Sequence, residues 1–237
     1  MSPQFYKEDI CFSKYIQKIM QIGFPLGLQS VLVNISFLII TIIVNQMGLI
    51  ASASLGVVEK LMGFLMLPAI VLGSVLASLI ALNVGAKQYK RAKQTLKYAI
   101  MISLAFAIIV TTICEIDGTI LTCIFTNNQE VIKNGALYLK TYSIDCLLTS
   151  FLFCINGYLN GYEKTVFTMV HSLVATFIGR IPLTLLFSKI PNVTLFHMGI
   201  AAPLSTMISL VMIFIYFKKT KFNNIKERYV TLIHRKE

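Results

Sequence analysis

Six long apolar stretches separated by short polar breaks run along the chain, at roughly residues 19–44, 55–82, 96–114, 139–159, 166–187 and 196–217. Each is close to or above the roughly 20 residues that a helix needs to cross a ~30 Å hydrocarbon core. Backbone polar groups find no water in that core, so only helices and closed barrels cross it. Barrel strands are about 10 residues long and alternate apolar with polar positions, which these stretches do not. The pattern predicts an all-α membrane protein with six transmembrane helices over residues 19–217. Residues 1–18 read as an amphipathic cytoplasmic lead and 218–237 as a basic cytoplasmic tail.

Local signals refine these elements. Gly23-Phe24-Pro25 is expected to open the first helix, because proline suits a first turn whose N–H groups lack partners. Asn45-Gln46-Met47-Gly48 closes that helix, and 51–54 reads as a short outer turn. Pro68 predicts a kink in the second helix, and Pro182, after Arg180-Ile181, a kink in the fifth. The charged segment 87–97 is expected to start the third helix as an interfacial turn. Glu115-Ile116-Asp117-Gly118 marks a surface, and 119–125 reads as a short apolar segment lying in the interface. Asn127-Asn128-Gln129-Glu130 has the residues of a helix start, an Asn cap followed by a carboxylate in the first turn. The helix it starts is expected to lie in the interface before diving as the fourth span. Gly199 and Pro203 are expected to shape the start of the sixth.

Composition sharpens the picture. Hydrophobic residues make up 56% and charged residues 13%, against about 45–50% and about 25% in soluble domains, which leaves no room for a soluble catalytic domain. The net charge of +11 takes its meaning from position. Lys7, Lys14 and Lys18 precede the first helix; Lys87, Lys90, Arg91, Lys93 and Lys97 fill the second break; Lys164 lies in the fourth. Lys218, Lys219, Lys221, Lys226, Arg228, Arg235 and Lys236 follow the sixth helix. If the helices alternate, all of these fall on one side, facing only Lys133, Lys140 and Lys189 on the other. Basic residues favour cytoplasmic loops, so both termini are expected in the cytoplasm; the lysine-, isoleucine- and asparagine-rich composition suggests the cell (inner) membrane of a bacterium. The clusters are expected to meet anionic lipid headgroups of the bilayer rather than nucleic acid. The five cysteines lack the paired spacing of a metal or disulfide set and read as small packing residues. No Gly-x-Ser-x-Gly elbow, His-Glu-x-x-His pair or phosphate-binding loop is present. The chain reads as a non-enzyme without a cofactor, and any transport must draw on an ion gradient or a partner ATPase.

Ionisable groups inside membrane spans are costly and usually face a cavity or a partner. Asp145, early in the fourth helix, has the chemistry to bind a cation or carry a proton; the competing readings put it at the outer interface or pair it with Arg180. Glu59 and Lys60 open the second helix. Adjacent helical residues point about 100° apart, so one snorkels to the interface and Glu59 is the candidate pore-facing group. Arg180 falls near mid-membrane by count, where a pore role competes with a structural ion pair or with bonds to carbonyls freed by Pro182. On the first helix Asn34, Thr41 and Asn45 are spaced seven and four apart and share a face. That face either lines a hydrated cavity or bonds to a neighbouring helix. His171 and His197 are isolated and read as structural.

Several motifs together resemble those of the multidrug and toxic compound extrusion (MATE) transporters. They are Asn83-Val84-Gly85-Ala86-Lys87 followed by Arg91-Ala92, Phe125-Thr126 with Glu130-Val131 leading to Tyr138-Leu139, and Pro25-Leu26-Gly27-Leu28-Gln29. Asn156-Gly157 with Asn160-Gly161, Arg180-Ile181-Pro182-Leu183, and Gly199-Ile200-Ala201-Ala202-Pro203 complete the set. The resemblance spans nearly the whole chain and implies the second of the two six-helix lobes of that fold. It implies a secondary antiporter, of half size or truncated, that exports drugs and organic cations in exchange for Na+ or H+. Where some members carry an acidic residue in the first helix of this lobe, this chain has Val33, beside Asn34. Where members carry an Asp in the fourth helix, this chain has Asp145 about one turn earlier. A single lobe supplies one wall of a cavity, so the expected partner is a first-lobe polypeptide or a second copy of the chain. The rival expectations are a lipid-linked oligosaccharide flippase of the same superfamily and a non-transporting membrane fragment.

Overall fold

The structure, a computed structural model, describes residues 12–191 and 194–220. Most of the expected lead, with Cys11, and nearly all of the basic tail lie outside those residues. The helices are α1 (Phe12–Asn45), α2 (Leu49–Leu65), α3 (Leu67–Gly85), α4 (Tyr89–Thr122), α5 (Gln129–Gly161), α6 (Thr165–Val174), α7 (Ile181–Ser188) and α8 (Leu195–Thr220), with a π-helical segment, Ala175–Arg180, joining α6 to α7. There is no strand among the described residues. Six helical runs among them are long and apolar enough to cross a membrane, as the hydropathy pattern requires.

The boundaries depart from the sequence reading in instructive ways. Pro25 does not open the first helix; it is buried in the interior of α1, which already starts at Phe12. Residues 51–54 are not a turn but part of α2. The reversal comes earlier, where Gly48 takes φ 106, a conformation that costs glycine little. The second apolar stretch is two helices rather than one bent helix. Backbone bonds continue through Met66, to Met62 at 2.9 Å and from Ile70 at 3.1 Å, but Pro68 has no N–H to continue the ladder.

The surface signal at 115–118 proves to be a break within α4, where Asp117 is non-helical (φ −154, ψ 89). Its carboxylate accepts from the Thr119 N–H at 3.0 Å and the Thr119 hydroxyl at 2.5 Å, which restarts the helix. The Asn128 cap forms as expected, its side chain accepting from the N–H groups of Glu130 and Val131 at 3.0 and 3.3 Å. From there α5 runs unbroken to Gly161 instead of first lying in the interface, since no proline interrupts it. At Pro182, where a kink is expected, the helix runs on from Thr165 to Ser188 with a π-helical segment, Ala175–Arg180, just before the proline. Pro203 lies inside α8 rather than at its start.

The central helix is α5, which packs against α2, α3, α4, α6 and α8. Hydroxyls tie it to its neighbours: Ser54 donates to the Val131 carbonyl (3.2 Å), Thr111 to Ser143 (2.9 Å), Ser103 to Ser150 (3.3 Å), and Thr141 to Phe196 (3.3 Å). Such bonds are worth roughly 0.6 kcal/mol each in membrane bundles. Against α3 the approach is close enough to require glycine. A side chain at Gly157 would collide with the Gly73 carbonyl, and one at Gly161 would lie 2.6 Å from the Ile80 Cβ. Val44, Leu55, Val58, Cys114, Leu139 and Ala202 fill the core beside α5.

Candidate functional site

The polar interior is built around three side chains of α5, each one turn from the next: Tyr138, Tyr142 and Asp145. Residues three and four apart share a helix face, so these three line one stripe, and Thr149 extends it. Asp145 lies sixteen residues into α5, about 24 Å from its start at 1.5 Å per residue. It is 5% exposed. The α8 residue Thr206 donates its hydroxyl hydrogen to Asp145 Oδ1 at 2.5 Å. Thr149 lies close enough to influence the carboxyl, yet its buried hydroxyl has no hydrogen bond of good geometry. The site is thus a buried carboxylate with one hydroxyl on it and a second unused hydroxyl beside it.

Arg180 does not ion-pair with Asp145, and among the described residues no carboxylate lies within ion-pair distance of it. Instead its Nη2 donates to the Tyr142 hydroxyl at 3.2 Å, and its guanidinium lies 4.4 Å from the centroid of the Phe37 ring and 5.6 Å from that of Tyr142. Tyr142 in turn stacks on Tyr138 at 5.6 Å. The carbonyl bonds considered for Arg180 are not made either; its own carbonyl accepts from the Thr184 hydroxyl at 2.8 Å. The π turn that ends at Arg180 carries the side chain toward α1 and α5.

Glu59 is half-buried and lies within electrostatic range of Arg180, while Lys60 is exposed. On α1 the three expected polar residues bond locally. Asn34 donates to the Ser30 carbonyl at 2.8 Å and Thr41 to Phe37 at 2.9 Å, while Asn45 accepts from Ser52. Asn34 and Asn45 are exposed and Thr41 is half-buried. The structure therefore brings Asp145, Arg180 and Glu59 toward one interior region and leaves Asn34 and Asn45 at the periphery.

A second polar knot lies nearer the basic end of the bundle. His171 is fully buried, with Nδ1 2.7 Å from the Ser209 hydroxyl and Nε2 3.0 Å from Asn156 Oδ1. It joins α5, α6 and α8. Among the described residues His197 bonds only to Thr194, three residues away. Phe37, Tyr142, Thr149 and Thr206 were not flagged by the sequence. Thr149 carried a readable signal, four residues from Asp145; Thr206 reaches it from 61 residues away, which no local pattern encodes.

The family model MatE matches residues 25–186, more than half of the chain, and the chain belongs to that family of multi-pass membrane proteins. It is 21% identical over 200 residues to the Probable multidrug resistance protein YoeA of Bacillus subtilis (strain 168), covering 84% of this chain and 43% of that protein. It is 23% identical over 208 residues to the Probable multidrug resistance protein YpnP of the same organism, covering 88% and 46%. Its fold matches an outward-facing multidrug resistance MATE family transporter of the MOP superfamily with a TM-score of 0.83 at 15% identity, over 94% of this chain and 50% of that one. The chain spans about half the length of the relatives it matches.

Proposed function

We propose that the chain is one lobe of a secondary antiporter that exports drugs and organic cations in exchange for Na+ or H+, with both termini on the cytoplasmic side of a cell membrane. The observation that carries this reading is the environment of Asp145. An anionic carboxylate at that depth, with a single hydroxyl donor, is costly. A proton relieves the cost, as does a small cation held between the carboxylate and the hydroxyls of Thr149 and Thr206. Thr206 belongs to α8, so taking up or releasing the ion changes what holds α5 to α8. A ligand shifts a conformational equilibrium by its difference in affinity between the states, and this contact supplies such a difference.

Alternating access needs two bundles rocking about a shared site. The matched relatives are about twice as long, which supports a complementary six-helix lobe as the partner. That lobe is a first-lobe polypeptide, separate from this chain or continuous with it, or a second copy. The names of the Bacillus relatives support drugs as the substrate class. The test is ethidium accumulation in inverted vesicles holding the assembled lobes. Uptake driven by a Na+ or H+ gradient, reduced at least tenfold by Asp145→Asn, is expected. Uptake indifferent to both gradients and to that substitution contradicts the reading.

A further inference from the structure

Arg180 is held by two aromatic rings and one hydroxyl rather than by a carboxylate. Its guanidinium carbon lies over the Phe37 and Tyr142 rings, 4.4 and 5.6 Å from their centroids, and the Tyr142 hydroxyl takes one donor on Nη2. A guanidinium carries five N–H donors in a planar fork. The other two nitrogens, Nε and Nη1, make no hydrogen bond among the described residues, and neither is sealed away from the surface. No carboxylate lies within ion-pair distance. A permanent cation in a membrane span is costly when unpaired. Both two-pronged edges of a guanidinium include Nη2, paired with Nε or with Nη1; Nη2 keeps a second hydrogen beside the Tyr142 bond, so one such edge stays available to a carboxylate.

We propose that this edge binds the carboxylate of an amphipathic substrate whose apolar body packs beside Phe37, with half-buried Glu59 left for a cationic end. The preferred substrates are then zwitterionic aromatic amphiphiles rather than simple cations. This deepens the export reading and rests on it, but binding is measurable without transport. The full chain in detergent is titrated against rhodamine B, a zwitterion, and against its ethyl ester, a cation with the same rings, by fluorescence polarisation. The free acid is expected to bind at least fivefold tighter than the ester. Arg180→Gln is expected to bring the two within twofold, while Arg180→Lys keeps part of the preference. Tyr142→Phe, which removes only the hydroxyl anchor, is expected to lower the preference and serves if Arg180→Gln fails to fold. A preference that persists in a folded Arg180→Gln variant, or in Tyr142→Phe where the former does not fold, overturns the proposal. So does a parent chain with no preference or no saturable binding. An intact preference in an assembly that shows no gradient-driven export counts against the transport reading alone.

Discussion

The helices α5 and α1 are nearly equal in length, 33 and 34 residues, and differ in what surrounds them. In the most apolar window of α5, 56% of residues are buried, against 22% in that of α1. The polar side chains of α5 reach other helices of the same chain: Asp145 meets Thr206 of α8, Tyr142 meets Arg180, and the Ser143 hydroxyl donates to Glu115 of α4 at 3.3 Å. Asn34, Thr41 and Asn45 of α1 turn back on their own helix or the next one, and Leu38, Ile42 and Val31 stand exposed around them, while Lys18 near the start of α1 pairs with Glu163 at 2.8 Å. In lipid, apolar burial gives helices little reason to associate, and close packing and polar bonds do more. The lobe is therefore organised from α5 outward, and α1, like the equally long α4, leaves much of its surface for contacts beyond the chain.

Substitution of glycine exposes this contrast most strongly. Gly157→Leu drives a side chain into the Gly73 backbone, whereas a side chain at Gly27 on α1 has nothing within 4 Å. Overpacking against backbone is expected to cost about 3 kcal/mol, seen as a lowered melting temperature in detergent. Gly27→Leu is expected to stay within about 0.5 kcal/mol of the parent. Equal losses at both positions would erase the distinction between the helices. A smaller effect is expected at the His171 knot. His171→Leu leaves buried Ser209 and half-buried Asn156 without their bonds to the ring, at about 2 kcal/mol, read by the same melting measurement. The smallest belongs to α1, where Asn34→Ala removes one exposed bond to its own helix and is expected to change stability by less than about 0.5 kcal/mol. A large loss there would show that Asn34 has a partner beyond its helix.

The same contrast explains what could be read beforehand. Hydropathy showed that six spans exist, and short-range chemistry marked the Asn128 cap and the break at Pro68. These signals act over one or two turns. Pro25 misled because a proline that suits a first turn is also tolerated inside a membrane helix, where neighbouring groups satisfy the freed carbonyl. Asp145 and Arg180 stood out because charges are rare in spans. Their partners Thr206, Tyr142 and Phe37 did not, because helical periodicity tells which residues share a face and not which helices meet. The pairing of Asp145 with Arg180 failed for that reason: opposite charges at similar depth were resolved by a hydroxyl and by aromatic rings instead.

The central claim is that this lobe works only against a complementary one. The direct measurement is chemical crosslinking in membranes where gradient-driven drug export is being recorded, followed by detection of the chain by size. The account predicts that the chain is captured joined to a second copy or to another six-helix polypeptide, and that export falls when that contact is blocked. A chain that stays alone at 26.5 kDa while export continues would contradict it.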